Sequence, residues 1–409
     1  MTKTVIIGGS HAAIAAAAKL RQLNADMEIV IISEEGFLPY QRPPLSKAYM
    51  AGVMPIERLC LKPAQWFEKQ RIGLQLNAQV TSIDPDKKQL QLASGGWQSY
   101  DKLLLATGAT ARCLPADIGG HLPNVRTMRN LSDANWLIDN MQADKNLIVI
   151  GGGYIGLEAA AEAAKKGLNV TIIEAADRIL KRVACAETSD EFRRLHQQKN
   201  VRILENTQLL KIIEENGIAC DVRLSSGEVI ALDFIVVGIG VTANVELAQN
   251  AGIKTLNGII VDEYCRTSHA DIYAAGDCVS LPFDQQPTRL ESVQNAHDQG
   301  AIAAANILGN EIVYNPKPWF WSDQFEIKLQ IAGLNRGYDA VIVKHGKREG
   351  AVSHYYFAQQ KLIAVDSLND PATYAMVRKA LEANVVIEQE MVMLADFDIR
   401  EKVKTLMAG

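Results

Sequence analysis

Cysteine and histidine are present, but they are not grouped as metal ligands or as a redox pair. The 409 residues include six cysteines, and the nearest two, Cys265 and Cys278, are thirteen positions apart. The seven histidines form neither a His-x-His nor a His-Glu-x-x-His pattern. This spacing excludes the common zinc and dithiol motifs. We therefore expect no bound metal, and we expect the cysteines to serve as small core residues.

Long apolar runs and an excess of basic charge are also missing. The longest apolar stretch, residues 147–164, contains four glycines and two glutamates, whereas a membrane span needs about 20 apolar residues with few charges. The net charge of −5 gives no reason to expect a nucleic-acid partner. The apolar N-terminal stretch breaks at Gly8 and Gly9, as a strand and turn would, not a signal peptide. We expect a cytoplasmic protein that binds neither membrane nor nucleic acid.

A first dinucleotide-binding pattern begins near the N-terminus. A short apolar strand is followed by a turn of small residues and an alanine-rich helix. In the pattern Gly-x-Gly-x-x-Gly/Ala, the three key positions are Gly8, Ser10 and Ala13. A glycine at the second position lets the backbone approach the pyrophosphate, and Ser10 departs from that glycine. A second apolar strand ends before Glu34 and Glu35, and either acid could bind ribose hydroxyls.

A second and complete copy of the pattern lies further along the chain. Gly151, Gly153 and Gly156 follow an apolar strand and open a helix, and the next strand ends at Glu174, eighteen residues beyond Gly156. The pyrophosphate is expected at the helix N-terminus, where free N–H groups and the helix dipole attract anions. Glu174 would accept from the ribose 2′-hydroxyl and repel a 2′-phosphate. This favours NADH, although the basic residues at 178, 181 and 182 leave NADPH open.

Several further stretches complete a resemblance to a known family. They are residues 38–49 (Leu-Pro-Tyr-Gln-Arg-Pro-Pro-Leu-Ser-Lys-Ala-Tyr), 105–108 (Leu-Ala-Thr-Gly), 151–158, 238–244 (Gly-Ile-Gly-Val-Thr-Ala-Asn), 275–278 (Ala-Gly-Asp-Cys), 291–293 (Glu-Ser-Val) and 318–324 (Pro-Trp-Phe-Trp-Ser-Asp-Gln). With them the chain resembles the two-dinucleotide-binding-domain flavoproteins. Within that group it is similar to the NADH-dependent reductases of [2Fe–2S] ferredoxins and rubredoxins.

The resemblance implies an α/β fold with two Rossmann-like dinucleotide-binding domains and a small α+β C-terminal domain. The FAD-binding domain would be discontinuous, formed by residues 1–108 and 234–315. The NADH-binding domain would be residues 109–233, and a C-terminal interface domain would be residues 316–409. We expect a monomer or a weak dimer.

The resemblance also implies which residues hold the two cofactors, FAD and NADH. Those expected at FAD are Gly8, Ala12, Ala13, Glu34, Lys47, Val80, Arg129, Asp277, Val293 and Trp321. Those expected at NADH are Gly151, Gly153, Tyr154, Ile155, Gly156, Glu158, Glu174 and Gly240. Trp319 and Trp321 are interpreted either as a cover for the flavin or as core aromatic residues of the C-terminal domain.

Lys47 and Glu158 are the candidate catalytic residues. In related flavoproteins such a pair meets beside the flavin, and we hypothesise an ion pair that lines the reaction pocket. The alternative is a solvated surface lysine and a glutamate in the first turn of a helix, where the helix dipole favours negative charge.

The missing thiols restrict the route by which electrons can leave a reduced flavin. Disulfide reductases need a cysteine pair and thiol peroxidases a single reactive cysteine, and the place of the latter is taken here by Arg42 and Pro43. Electrons are then expected to leave the flavin directly, for a one-electron carrier. We expect transfer to a [2Fe–2S] ferredoxin or rubredoxin that docks transiently through charge. The alternatives are an NADH oxidase or a quinone or radical reductase, and a flavoprotein of the apoptosis-inducing-factor type.

Overall fold

A computed structural model describes residues 2–283 and 286–408. The strands of this part, numbered β1 to β26 along the chain, are Lys3–Ile7, Glu28–Ile32, Ile72–Gln75, Val80–Asp84, Gln89–Leu92, Trp97–Ser99, Lys102–Leu105, Ala109–Ala111, Val125–Thr127, Asn146–Ile150, Asn169–Ile173, Arg202–Leu204, Leu209–Glu215, Ile218–Leu224, Val229–Ala231, Phe234–Val237, Val241–Ala243, Ile259–Ile260, Ile272–Ala274, Val279–Phe283, Gln286–Thr288, Trp319–Gln324, Ile327–Gly333, Ala340–His345, Val352–Ala358 and Lys361–Leu368.

The α-helices of the same part are numbered in the same way. Helices α1 to α11 are His11–Leu23, Ile56–Leu59, Ala64–Lys69, Leu131–Asn140, Tyr154–Lys165, Ala186–Gln198, Glu246–Asn250, Val293–Ile307, Pro371–Glu382, Gln389–Met393 and Ile399–Ala408. Short 3₁₀ helices cover Pro43–Ser46 and Ala116–Ile118.

The chain divides into two compact units. The first comprises Met1–Arg42, Met54–Thr110 and Val241–Pro316. Its central sheet is parallel, in the order β19-β7-β1-β2-β3. Helix α1 is rich in alanine because it packs closely on α8: a Cβ added at Gly300 would lie 2.4 Å from the carbonyl oxygen of Ala12. This contact fixes the N-terminus of α1 at the carboxyl edge of the sheet.

The second unit comprises Pro43–Val53, Ala111–Gly240 and Lys317–Gly409. It contains a second parallel sheet, in the order β12-β11-β10-β16-β9. Strand β16 hydrogen-bonds to β10, so it belongs to the sheet of the second dinucleotide pattern. The return to the first unit therefore comes at Val241, later than the boundary at residue 234 suggested by sequence.

The C-terminal part of the second unit is built on an antiparallel sheet. Its strand order is β22-β23-β26-β25-β24. Helices α9 and α11 cover one face, and the apolar core between them includes Tyr355, Phe357, Val365, Val377 and Val403. With the two parallel sheets, this confirms the α/β fold with two Rossmann-like sheets and a smaller mixed C-terminal part.

The two dinucleotide patterns fold into the same strand, turn and helix. Gly8 and Gly151 have φ of +116° and +100°, a region that side chains with a Cβ rarely occupy. A Cβ added at Gly8 would lie 2.1 Å from the carbonyl oxygen of Ala106. A Cβ added at Gly151 would lie 2.6 Å from the carbonyl oxygen of Gly238. The first glycine of each pattern is thus required by the turn itself, before any ligand is considered.

No helix within residues 2–283 and 286–408 combines the length and the apolar character needed to cross a membrane.

We expect Gly151→Ala to destabilise the protein more than Gly217→Ala does. Both glycines have positive φ, but a Cβ at Gly217 meets nothing within 4 Å, whereas a Cβ at Gly151 overlaps the Gly238 carbonyl. Strain of left-handed backbone costs about 1–2 kcal/mol, and overpacking adds about 1–3 kcal/mol at Gly151 only. Thermal unfolding followed by circular dichroism tests this, and equal midpoints for the two variants would contradict it.

Candidate functional site

The first dinucleotide turn leaves the start of α1 open to an anion. Ser10 is the N-cap residue, yet its hydroxyl lies 3.4 Å from Nδ1 of the adjacent His11 and does not cap a backbone N–H of the helix. Ser10 has extended backbone, and its counterpart Gly153 would place a Cβ 3.9 Å from the nearest carbonyl, an ordinary contact. Glycine at this position is therefore not required by the fold of either copy. Ala12 and Ala13 are buried in α1.

The two acids after β2 have different surroundings, which distinguishes between them. Glu35 accepts a hydrogen bond from the Tyr40 hydroxyl at 2.5 Å and forms an ion pair with Arg42 at 2.5 Å. Glu34 is exposed. Both line a groove of about 630 Å³ whose other lining residues are Asn77, Ala78, Gln79, Leu92, Ala93 and Ser94. Glu34 is exposed at the groove, whereas Glu35 is half-buried against Tyr40 and Arg42, so Glu34 is the acid better placed to accept from a ribose.

Other residues expected at FAD lie around the same edge of the first unit. Val80 is buried at the start of β4, next to the groove. Asp277 follows Gly276, whose φ is +89° and where a Cβ would lie 3.2 Å from Ala12 Cβ. Val293 is the first residue of α8, whose N-cap Ser292 accepts from the N–H of Asn295 at 3.1 Å. Gly8, Ala12, Glu34, Val80, Asp277 and Val293 are thus all in the first unit.

The second dinucleotide turn is closed around Glu174. Its carboxylate accepts from the backbone N–H of Gly152 at 2.7 Å and from that of Ala176 at 2.8 Å. A Cβ at Gly156 would lie 2.2 Å from the carbonyl oxygen of Gly151, so the helix approaches the turn closely, as the third position of the pattern requires. Glu174 thereby places a negative charge beside the turn.

The basic residues after Glu174 are arranged in different ways. Arg178 donates to the carbonyls of Ala184 and Cys185 and to the Ser189 hydroxyl. Lys181 pairs with Asp177 at 2.9 Å. The guanidinium of Arg182 lies 3.6 Å from the point where a Cβ would stand at Gly240. Gly240 has φ +101°, and it shares the second unit with the glycines of the pattern.

Tyr154 and Ile155 begin helix α5 and point differently. Ile155 is 41% exposed. The Tyr154 hydroxyl is buried with no hydrogen-bond partner among the described residues. Burial raises its pKa, and the nearby Asp366, Cys185 and Glu158 add to that effect. The hydroxyl of Tyr154 therefore faces the protein interior, which leaves its backbone N–H as the group at the turn.

Lys47 and Glu158 form a buried ion pair. The Lys47 Nζ lies 2.6 Å from Glu158 Oε2, and the two side chains are 16% and 4% exposed. Ser46 donates to the same oxygen at 2.7 Å, and Ser322 donates to Oε1 at 2.7 Å. The sequence alone suggested that Glu158 lies in the first turn of α5. It is the fifth residue of that helix and therefore lies beyond the first turn. The alternative of a solvated lysine and a glutamate favoured by the helix dipole is therefore wrong.

Arg129, Trp319 and Trp321 lie in the same unit as this pair. The backbone N–H of Arg129 donates to Asp133 at 2.9 Å, just before α4. Trp319 packs on the C-terminal core, with the Arg378 guanidinium 4.9 Å from its ring centre. Trp321 is half-buried, and its ring centre lies 5.7 Å from that of Trp319. The interpretation as a core aromatic residue fits Trp319, while Trp321 lies at the edge of that contact.

Sequence reasoning missed the two serines that bind Glu158. Ser322 is fully buried on β22, and alternate residues of a strand share a face. That alternation is the signal that could have found it, because Ser322 and Gln324 are both buried there. Ser46 ends the short helix formed by the Pro-Pro-Leu-Ser segment, which brings Ser46 and Lys47 to the same carboxylate.

Cys185, His354 and Asp366 are residue types that can bind a metal, and their ligand atoms lie within 4.8 Å of one another. They already share the Thr188 hydroxyl, whose oxygen is 3.3 Å from Cys185 Sγ, 2.7 Å from His354 Nδ1 and 2.8 Å from Asp366 Oδ2. Burial raises the pKa of the Cys185 thiol to about 11, so this sulfur is not a thiolate at neutral pH. The cluster is interpreted as a buried hydrogen-bonded network.

Comparisons with known proteins match nearly the whole chain. Residues 2–300 match the family model described as pyridine nucleotide-disulphide oxidoreductase, and residues 319–403 match the one described as reductase C-terminal. Rhodocoxin reductase of Rhodococcus erythropolis is 41% identical over 97% of this chain and 93% of its own length. Rubredoxin-NAD(+) reductase of Pseudomonas putida is 37% identical over 90% and 96%.

A solved structure shows the same fold over the full length. It is the covalent complex of putidaredoxin reductase with putidaredoxin, which matches with a TM-score of 0.95 and 34% identity, over 100% of this chain and 99% of that one. Together with the duplicated turn and the buried lysine–glutamate pair, these matches show that the chain belongs to the pyridine nucleotide-disulphide oxidoreductase family and carries its reductase-type C-terminal domain.

Proposed function

We propose that the protein passes electrons from NADH through FAD to a small iron–sulfur carrier, a [2Fe–2S] ferredoxin or rubredoxin that serves a monooxygenase or dioxygenase. The names of its relatives support a carrier of this kind, since they are reductases of rhodocoxin, rubredoxin and putidaredoxin. The observation that carries the proposal is that Arg42 stands in the sequence where the resemblance places the cysteine of a thiol peroxidase. In the structure its guanidinium pairs with Glu35 at 2.5 Å.

The first unit fits FAD by its shape and by its hydrogen-bonding groups. The tight turn at Gly8 and the helix start without a side-chain cap at Ser10 suit a pyrophosphate. Glu34 is exposed at the groove near this turn, as an acceptor for ribose hydroxyls must be. Asp277 follows Gly276, which packs on Ala12, and its carboxylate would accept a hydrogen bond from a second hydroxyl group of the FAD sugar.

The second unit fits NADH in a corresponding way. The Gly151 turn and the start of α5 would hold the pyrophosphate, and the carboxylate of Glu174 would meet the adenosine ribose. We propose the three domains implied by the sequence, one for FAD, one for NADH and one at the C-terminus. The chain passes from the second unit back to the first at Val241. The cytoplasmic location and the monomeric or weakly dimeric state stay predictions.

The chain's own residues bind and orient, while the cofactor supplies the redox chemistry. FAD, when bound, accepts two electrons from NADH and can release them one at a time. Lys47 is the candidate residue that faces the flavin, and Glu158 keeps its ammonium group in place at 2.6 Å. Ser46 and Ser322 hold the carboxylate from two sides. The Lys47 ammonium group therefore has a position defined by protein side chains.

The flavin oxidase alternative shares all of these groups and differs only in the acceptor. We expect NADH-dependent reduction of cytochrome c to rise at least about 10-fold when a [2Fe–2S] ferredoxin or rubredoxin is added, because the carrier takes single electrons from the reduced flavin. Oxygen consumption without a carrier is the control. Rapid NADH oxidation that no carrier changes would contradict the proposal and favour an oxidase.

Lys47→Met is expected to slow flavin reduction by NADH about 100-fold, in the range typical for loss of a positioned catalytic group. Lys102→Met is a matched control, because Lys102 makes an ion pair with Asp271 at the same 2.6 Å in the first unit. Stopped-flow absorbance of the flavin measures the rate. An unchanged rate in Lys47→Met would rule out the catalytic role.

Stability is separated from catalysis by a second variant. Lys47→Met alone leaves a buried carboxylate without its cation, which costs about 3–5 kcal/mol. In Lys47→Met/Glu158→Gln the uncompensated charge is gone, so we expect thermal stability to recover while flavin reduction stays slow. Recovery of both stability and rate would show that Lys47 is only structural.

Glu174→Ala is expected to raise the KM for NADH about 10-fold and to narrow the preference for NADH over NADPH. The variant removes both the ribose acceptor and the charge that repels a 2′-phosphate, and each lost charged hydrogen bond is worth about 1.5–3 kcal/mol. Glu228→Gln is the control, because Glu228 is a partly exposed residue of the same unit that pairs with Arg202 at 2.7 Å. Steady-state kinetics with both nucleotides measures the effect, and an unaltered preference would contradict it.

A further inference from the structure

A row of buried polar side chains leads away from Glu158 into the C-terminal part of the second unit. Ser322 donates to Glu158 Oε1 at 2.7 Å, and Gln324 Nε2 donates to the Ser322 hydroxyl oxygen at 3.1 Å. Gln324 Oε1 lies 2.8 Å from Nε2 of His196. Ser322, Gln324 and His196 are each 0% exposed. Because these side chains do not contact solvent, their hydrogen bonds to one another determine which group donates and which accepts.

The carboxylate at one end fixes the direction of every bond in the row. An ionised Glu158 only accepts hydrogen bonds, so the Ser322 hydroxyl must donate to it. The serine oxygen then accepts from the Gln324 amide nitrogen, which leaves Gln324 Oε1 as an acceptor for the His196 N–H. All three donors therefore point toward Glu158.

The far end of the row agrees with this direction. Burial lowers the pKa of His196 to about 4, against the effect of its bond to Gln324, so the ring is neutral at neutral pH. A neutral ring that donates from Nε2 has a bare Nδ1, and Nδ1 of His196 is the ring nitrogen without a partner among the described residues. The row thus ends at the Nδ1 lone pair of His196, an acceptor that offers no proton in the opposite direction.

The charged and titratable groups that face Glu158 come from two elements. Lys47 approaches from the segment after the Pro43–Ser46 helix, and Tyr154 and Glu162 lie on α5 itself. Glu162 pairs with Lys165 at 2.7 Å. Strand β22 presents Ser322 and Gln324 on its buried face, while Asp323 lies on the opposite face. Within the described residues, β22 thus offers hydroxyl and amide groups to Glu158 but no charge.

We propose that Ser322 and Gln324 are positioning residues for the proposed reaction, which hold the Glu158 carboxylate aimed at Lys47. The inference rests on the proposed function of the Lys47–Glu158 pair. It assigns a role to Ser322 and Gln324, two alternate residues of the Trp-Phe-Trp-Ser-Asp-Gln stretch that are not among the residues expected to bind a cofactor. Ser322 supplies the proton that satisfies Oε1, and Gln324 prevents Ser322 from turning its proton elsewhere.

Ser322→Ala is the first test, with Ser322→Thr as the conservative variant. Without the hydroxyl, Glu158 Oε1 loses its donor and the carboxylate can turn away from Lys47, so the rate of flavin reduction should fall about 10-fold with little change in the KM for NADH. Ser322→Thr should restore the rate. Ser353→Ala is the matched control, a buried serine of the same sheet that bonds to Asp370 at 3.0 Å.

Gln324→Glu tests the direction of the row. A carboxylate at position 324 would accept from the Ser322 hydroxyl and draw it away from Glu158, so we expect a fall in the rate of flavin reduction at least as large as in Ser322→Ala. If the variant is too unstable to purify, Gln324→Leu removes the same donor without adding charge. A smaller fall in the rate is then expected.

A readout that does not depend on turnover separates this inference from the proposed function. In protein labelled with ¹³C at the glutamate side-chain carboxyl, the Glu158 signal is assigned by its loss in Glu158→Gln. We expect the chemical shift of this carboxyl carbon at neutral pH to change in Ser322→Ala, which lacks the donor to Oε1, and to stay at the wild-type value in Ser353→Ala. An unchanged chemical shift, or a rate of flavin reduction equal to that of Ser353→Ala, would overturn the inference. Failure of wild type to reduce FAD with NADH would instead refute the proposed function.

Discussion

Removing a carboxylate from water is costly unless donors replace the lost solvent, and Glu158 obtains its donors from separate parts of the chain. It lies on α5 at 3% exposure. Lys47 and Ser46 reach it from a short proline-rich segment, and Ser322 reaches it from the C-terminal sheet. The segment Pro43–Val53 accordingly belongs to the second unit, although the chain on either side of it belongs to the first. One buried carboxylate thus joins three distant stretches of the sequence.

The regular elements and the glycine turns were predictable because their causes are local. Apolar runs of four or five residues ended where the strands end, and the terminal acid Glu174 follows β11 directly. The requirement for glycine at Gly8 and Gly151 also comes from adjacent backbone. Such features depend on neighbours that the sequence itself brings together.

The parts that sequence could not predict depend on contacts between distant residues. The preference for Glu34 over Glu35 follows from Arg42 and Tyr40 binding Glu35. The buried Tyr154 hydroxyl lies near Asp366 of the C-terminal sheet, more than two hundred positions further along the chain. Ser322 was recognisable only as part of a family stretch, since its role appears when β22 packs on α5. The charged and polar partners of a site were thus harder to predict than its backbone.

The cluster around Thr188 also has a consequence for which substitutions the chain tolerates. Thr188 of α6 donates to Asp366 of β26, and His354 on β25 is opposite Asp366 in the sheet register. The backbone N–H of Cys185 donates to Tyr356 at 2.9 Å. A C-terminal domain without these side chains would leave the buried polar groups of Cys185 and Thr188 without their partners. We therefore expect a substitution in either stretch to be tolerated only with a compensating change in the other.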